Sequence, residues 1–325
     1  MSVTIYDIAK AAGTSTSTVS RVLNGSALIG DELSAKILET AERLGYKKRA
    51  IRKQKSRAII NIKLVLGQLS DPTLPLFYSV PELINSLKKS VPDNQVNIIC
   101  ETSTKPEDLF ASKKAANIDA VIFAFCHVPK KTVAYLKEAQ IPFLALNREL
   151  ADSDFISYPN TDEMKKLTSR VIKAKNSKSA IFIQMNKDLD VTIERRNGFL
   201  QACAELQVDA QVETLKSLAD ISEDFIQDLH QQNCQAVVCM NDIIATSFIM
   251  RSQQSCYQVP RDFSVSGFDG SSITAVLPKK LCTVKLDMNT LGEKSGEWIL
   301  ERVINRSESP CQIKLPGQFI SGETL

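Results

Sequence analysis

From Ile59 to Lys285 the chain repeats one pattern, a short apolar and β-branched run followed by a segment with apolar residues at helical spacing. Ile59–Leu66, Val96–Cys100, Ala120–Phe125 and Pro142–Leu146 read as buried strands, with helices expected near 77–90, 106–116 and 129–138. The pattern resumes with strands at Ser179–Gln184, Gln211–Leu215, Ala236–Met240 and Phe263–Gly267, and helices near 161–174, 192–206, 220–232 and 242–254. Runs with no polar face must be covered on both sides, and helical crossovers between them make the sheets parallel. The two series of units predict two α/β lobes. A last strand, Leu281–Lys285, and a helix near 288–305 imply that the chain crosses back between lobes before it ends.

The first 46 residues follow a different rule. Thr4 to Gly13 opens on a Thr with an Asp three residues later and closes on a Gly suited to a left-handed helix end. Ser15 supplies a second N-cap, for a helix that buries Val19, Val22 and Leu23 and ends at Asn24-Gly25. Thr16, Ser17, Ser20 and Arg21 are left facing outward. Short hydroxyl side chains let a helix backbone come close to DNA, and an Arg forks onto the O6 and N7 of a guanine. A third helix, about Asp31 to Leu44, places Leu33, Ile37, Leu38, Ala41 and Leu44 at helical spacing to close a small core. An ordinary three-helix bundle, its Ser/Thr run only a cap and a turn, fits the composition equally well.

The string T-I-Y-D-I-A-K-A-A-G-T-S-T-S-T-V-S-R-V-L-N-G, with A-E-R-L-G-Y ending at Tyr46, resembles the DNA-binding headpiece of the lac repressor/galactose repressor (LacI/GalR) family. Further pieces follow in that family's order: I-P-F-L-A-L-N-R at 141–148, E-R-R-N-G-F at 194–199, A-V-V-C-M-N-D at 236–242, V-P-R-D-F-S-V-S-G-F-D at 259–269 and L-C-T-V at 281–284. The resemblance implies an all-α helix-turn-helix headpiece joined to an α/β two-lobed core with parallel sheets, similar to periplasmic sugar-binding proteins, with a ligand held in the cleft. It divides the chain into a DNA-binding domain at 1–46, a hinge at 47–58 and a core at 59–325. One lobe would take about 59–158 and 288–313, the other about 159–287 and the C-terminal tail.

Charge is polarised in the same sense. Residues 1–57 hold eleven Lys/Arg against five Asp/Glu, a balance of +6, while the rest of the chain sums to −3, giving the net +3. Lys47, Lys48, Arg49, Arg52, Lys53, Lys55 and Arg57 form the densest part. Alone, such a run is usually a solvated linker; beside a helix-turn-helix it releases counterions from phosphates and adds sequence-independent affinity. In the family this segment is a hinge helix that wedges a leucine into the minor groove. Here Gln54 or Lys55 stands at that position, so the hinge is expected to grip the backbone electrostatically and bend DNA less.

In open parallel sheets ligands bind beyond the carboxyl ends of the strands. Asn147 and Arg148, Asn241 and Asp242, and Asp269 all follow strands, and Arg195 opens a helix after a loop. The resemblance places Arg195, Asn241 and Asp269, and less closely Asn147, where the family contacts its effector. Capping is the competing role for Asp242 and Asp269, and for Asp242 the favoured one. Phe77 or Tyr78, in a proline-rich segment loosely matched to the family's first effector loop, either lines the cleft or belongs to the core. Trp298, the only tryptophan, falls on an amphipathic helix and is expected to pack.

No apolar run is long enough to span a bilayer and no signal sequence opens the chain, so the protein is expected in the cytoplasm without a membrane. Eight scattered cysteines form no C-x-x-C pair and read as reduced thiols; the two histidines have no metal-ligand spacing. No phosphate loop, G-x-S-x-G elbow or metal cluster supports an enzyme, and neither a cofactor nor a metal is expected. These readings converge on a transcriptional regulator, a repressor. It would bind a pseudo-palindromic operator in double-stranded DNA as a homodimer, with no C-terminal heptads to favour a higher assembly, under a sugar or sugar-derivative effector. Thr16, Ser17 and Arg21 are expected at base edges, and Thr4, Tyr6, Ser15, Ser20, Asn24, Arg49, Arg52 and Lys53 at the backbone. Phe77, Asn147, Arg195, Asn241 and Asp269 are expected at the effector. The alternative is a constitutive or protein-controlled DNA binder whose core only dimerises.

Overall fold

The computed structural model describes residues 4–23, 30–46, 59–66, 79–105, 109, 118–185 and 187–325. Asn24, the basic segment 47–58 with Arg49, Arg52 and Lys53, the segment with Phe77 and Tyr78, and most of the helix expected near 106–116 lie outside the described residues.

The headpiece consists of α1 (Ile5–Ala12), α2 (Thr16–Leu23) and α3 (Asp31–Arg43). The Asp7 carboxylate accepts from both Thr4 N–H (2.8 Å) and Thr4 Oγ1 (2.7 Å), fixing the first turn of α1. Those hydrogen bonds hold Asp7 below the usual carboxylate range. Gly13, at φ 69°, ends α1 in the left-handed region and lets the chain turn into α2. The core is Ile8, Ala9, Ala12, Val19, Val22, Ile37 and Ala41, with Leu23 and Leu44 packed at its edge. Leu33 and Leu38, expected in this core, are instead exposed, because Ile37 and Ala41 set the buried stripe of α3 and both leucines lie off it.

The core forms two parallel sheets. Strands β1 (Ile59–Val65), β2 (Gln95–Glu101), β3 (Ala120–Ala124), β4 (Phe143–Leu146) and β5 (Asp154–Ser157) build the first, and β11 (Gln312–Lys314) returns to its edge in the order β11-β5-β4-β3-β1-β2. Helices α4 (Val80–Lys89) and α5 (Lys130–Glu138) belong to these crossovers. The second sheet has the order β7-β6-β8-β9, from β6 (Ser179–Gln184), β7 (Asp209–Thr214), β8 (Ala236–Cys239) and β9 (Ser264–Ser266). Its helices are α6 (Asn160–Lys175), α7 (Asp190–Leu206), α8 (Glu223–Gln231) and α9 (Asp242–Gln254). Central strands β3, β4 and β8 are buried throughout, as their unbroken apolar sequence requires.

Three elements were not visible as strands in the sequence. Each of β5, β11 and β12 (Gln318–Ile320) has only three or four residues and takes its place from its partner; β12 pairs antiparallel with β10 (Thr283–Lys285). The expected 288–305 helix is α10 (Met288–Ile299), continued by one π-helical turn, Leu300–Ile304. Trp298 does pack, and its Nε1 also donates to Asp154 at 2.7 Å. Arg302 and the Cys311 N–H donate to the same carboxylate, which fastens α10 and the strand after it to β5. Burial raises the Asp154 carboxyl, but these donors outweigh it and leave it below its ordinary value. The Tyr158 hydroxyl donates to Asp287 O at 3.0 Å, joining two of the segments that pass between the sheets.

Candidate nucleic-acid interface and interlobe cavity

Helix α2 carries two faces. Val19 and Val22 anchor it, while Ser15, Ser17 and Arg21 are exposed and Thr16 and Ser20 half-buried. Ser15 Oγ accepts from Thr18 N–H (3.1 Å) and shares hydrogen bonds with Ser17 Oγ and Thr18 Oγ1, both at 2.8 Å. It is thus the cap that presets the start of α2. Tyr6 projects from α1 with 65% of its surface exposed, and Thr4 is exposed beside it. The structure therefore gathers Thr4, Tyr6, Ser15, Thr16, Ser17, Ser20 and Arg21 onto the first two helices.

In the core, Arg195, Asp269, Asn241 and Asn147 are all buried. Arg195 lies with its guanidinium carbon 4.0 Å from the Phe268 ring centroid. Its Nη2 donates to Asp269 Oδ1 (2.7 Å), Nη1 to Met240 O (2.8 Å) and Nε to Asn160 Oδ1 (3.0 Å). Asp269, at φ 97°, sits where its own N–H reaches Val284 O and its carbonyl receives Leu286 N–H.

The cap of α9 is Asn241, whose Oδ1 accepts from Ile244 N–H at 3.0 Å. Asp242, expected as that cap, instead turns inward as the first helical residue. Its two oxygens accept from Ser271 N–H and Thr283 Oγ1, each at 2.6 Å. Burial, with the Asp269 charge adding to it, pushes Asp242 up to about 8 against the effect of those donors.

Above this layer lies a cavity of about 220 Å³ lined, among the described residues, by Asn147, Arg148, Glu149, Ser157, Asn160, Asp190, Val191, Ile193 and Glu194. Its walls come from the carboxyl ends of β4 and β5 and from the first turns of α6 and α7, so both lobes contribute. Among the described residues, Asn147 is the one predicted effector residue that lines it; Arg195 joins the lining through Asn160 and Asp269 through Arg195, while Asn241 caps α9. Asn160 donates to Glu194 Oε2 (2.9 Å) while accepting from Arg195. Asn160, Glu149 and Glu194 were not singled out from sequence. Glu194 adjoins Arg195 in the quoted E-R-R-N-G-F string, but nothing local distinguished it from a solvated helix carboxylate. A larger open groove, about 590 Å³, follows α6 past Lys165, Arg170 and Lys173, yet its described lining comes from that one helix.

A helix-turn-helix with a presented polar face, joined to a two-lobed parallel α/β core, defines a DNA-binding transcriptional regulator. Residues 4–48 match the family described as bacterial regulatory proteins, lacI family, and residues 172–325 match the periplasmic binding protein-like domain. The transcriptional repressor PurR of Vibrio atlanticus is 22% identical over 335 residues, covering 99% of this chain and 98% of its own. Among solved structures, a complex of the regulator CelR with cellobiose aligns with a TM-score of 0.67 at 17% identity, covering 99% of this chain and 100% of that one. The lac repressor dimer bound to operator and an anti-inducer aligns with a TM-score of 0.64 at 19% identity, covering 100% and 99%. The chain belongs to the LacI family of bacterial transcriptional regulators.

Proposed function

We propose that the protein is a cytoplasmic repressor that binds a pseudo-palindromic operator as a homodimer and answers to a small molecule in the interlobe cavity. The observation that carries the DNA reading is α2, whose apolar side is locked into the headpiece while Ser17 and Arg21 stand in solvent. Thr16, Ser17 and Arg21 address base edges. Thr4, Tyr6, Ser15, Ser20, Asn24 and the basic residues Arg49, Arg52 and Lys53 address phosphates. One headpiece reads only a few base pairs, so two act together on paired half-sites; the solved lac repressor, a dimer on its operator, supports this. We divide the chain as 1–46, 47–58 and 59–325.

The cavity supports the effector reading because both lobes line it, so an occupant holds them at one mutual angle. Asn147 takes part directly, Arg195 backed by Asp269 positions Asn160 in the wall, and Asn241 sets the start of α9. Occupancy then changes operator affinity, and DNA changes ligand affinity by the same factor. Selection of bound sequences from a random DNA pool at near-physiological salt tests the first part: a two-half-site consensus is expected, and enrichment of no sequence refutes specific repression.

A second reading has its own observation. Arg195, Asp269 and Asn241 all bond to groups of the protein itself, as they would in a constitutive DNA binder whose core only dimerises. A thermal-shift screen with sugars and nucleosides separates the two, since a ligand of the folded state raises its melting temperature.

A further inference from the structure

Whatever enters the interlobe cavity meets an unbalanced set of charges. Asp190, Glu194 and Glu149 line it against one guanidinium, Arg148. The terminal nitrogens of Arg148 donate to backbone carbonyls, Nη1 to Asn147 O at 2.6 Å and Nη2 to Phe125 O at 3.2 Å. Lys314 pairs with Glu149 at 2.9 Å. Arg195 adjoins the cavity but turns its three nitrogens to Asn160, Met240 O and Asp269. Each of these cations thus donates to protein acceptors, while on α7 the Asp190 carboxylate and one oxygen of Glu194, whose other oxygen takes the Asn160 donor, are left to the occupant.

Those two carboxylates, Asp190 and Glu194, stand one turn apart on the same face of α7, a like-charge spacing that destabilises a helix unless a cation lies between them. Burial pushes Glu194 above the ordinary carboxylate value and the charge of Glu149 adds to it, against the Asn160 donor and the charges of Arg148 and Arg195. The rest of the polar lining is Asn147, Ser157 and Asn160. Ser157 Oγ donates to Glu149 at 3.3 Å, and Asn160 Nδ2 donates to Tyr158 O and Glu194, so what these two offer to hydroxyl groups is acceptor oxygen. At about 220 Å³ the space falls below the range of roughly 300 Å³ and upward typical of drug-sized ligands, and suits one sugar ring.

We infer that the cavity takes a small hydroxylated amine, of the amino-sugar class, with its ammonium between Asp190 and Glu194 and its hydroxyls on Asn147, Ser157 and Asn160. This rests on the effector reading above and narrows it: phosphorylated sugars and sugar acids are rejected, because among the described lining residues three carboxylates face the single guanidinium of Arg148.

The test is a thermal-shift and calorimetric titration of the full chain with glucosamine, glucose, glucose 6-phosphate and gluconate at neutral pH. Glucosamine is expected to raise the melting temperature and to bind at least about ten-fold more tightly than glucose, the value of one charge-assisted hydrogen bond. Glu194→Gln, which keeps an acceptor for Asn160, and the exposed Asp190→Asn should each remove most of that preference without lowering the unliganded melting temperature. Equal or tighter binding of glucose, glucose 6-phosphate or gluconate overturns the amine assignment and leaves the effector reading standing. A glucosamine response indifferent to both substitutions also overturns it. Silence across all four sugars overturns the assignment and counts against the effector reading, while operator selection, measured separately, is untouched.

Discussion

Arg195 Nη2 lies 2.7 Å from Asp269 Oδ1, and both side chains are 2% exposed. The pair bridges the start of α7 and the loop after β9, and the same guanidinium holds the end of β8 through Met240 O and the start of α6 through Asn160. One side chain therefore ties together four segments of a lobe. Replacing Arg195 by Ala leaves the Asp269 carboxylate buried without its partner, at an expected cost of about 3–5 kcal/mol. Urea unfolding of the purified chain measures it. Arg195→Lys should recover only part, because an ammonium lacks the planar fork that reaches three acceptors.

Asp242 makes stability depend on pH. Its folded value of about 8 lies above the ordinary carboxylate value of 3.8, so the native state holds a proton that the unfolded state gives up. The stability from this group is fully present below about pH 4 and is lost as pH rises through about 8. Asp242→Asn keeps an acceptor for Ser271 N–H and a donor for Thr283 Oγ1. It should flatten this slope between pH 5 and 8, read from unfolding midpoints across that range; an unchanged slope assigns the dependence to other groups.

At Gly198 the α6–α7 crossing leaves no room for a side chain: an added Cβ would stand 2.2 Å from Thr161 O, a backbone atom with no rotamer to yield. Gly198→Ala should cost roughly 1–3 kcal/mol despite the better helix propensity of alanine. Thermal unfolding gives the answer, and a neutral or stabilised variant would falsify the close crossing.

Arg21→Ala should weaken cognate operator binding by about 1–3 kcal/mol and flatten discrimination against scrambled DNA, as expected of a base contact. Binding isotherms on both DNAs at several salt concentrations separate this from a phosphate contact, which would weaken both alike and lower the salt slope by about 1.

Ser15→Ala removes the acceptor for Thr18 N–H and should cost the headpiece about 0.5–2 kcal/mol. Ser15→Asp restores the cap but places a charge toward phosphates. Recovery of folding without recovery of DNA affinity, by circular dichroism and gel shift, would mark Ser15 as a backbone contact as well as a cap.

The alternation of apolar runs and amphipathic helices made the two parallel sheets legible, because a strand buried on both faces has to be apolar along its whole length. The caps of α1 and α2 were legible for a similar local reason: Thr4 with Asp7, Gly13 and Ser15 act on backbone atoms within four residues. Leu33 and Leu38 misled, since helical spacing admits several stripes and only packing against α1 and α2 selects Ile37 and Ala41. Asp242 misled in the same way. Asn241 and Asp242 are both good caps, and the choice fell to Ser271 and Thr283, some thirty to forty residues away, which claim the Asp.

By itself, then, the sequence determined the headpiece, the class of the core and the family, because these rest on periodicity and on interactions spanning one turn of helix. The tertiary structure decided which polar groups meet. Asn160 reaches Glu194 and Arg195 across 34 and 35 positions, and Arg195 reaches Asp269 across 74. Only the closing of two sheets and their crossovers brings such residues within 3 Å, so the charge that lines the cavity is a property of the fold.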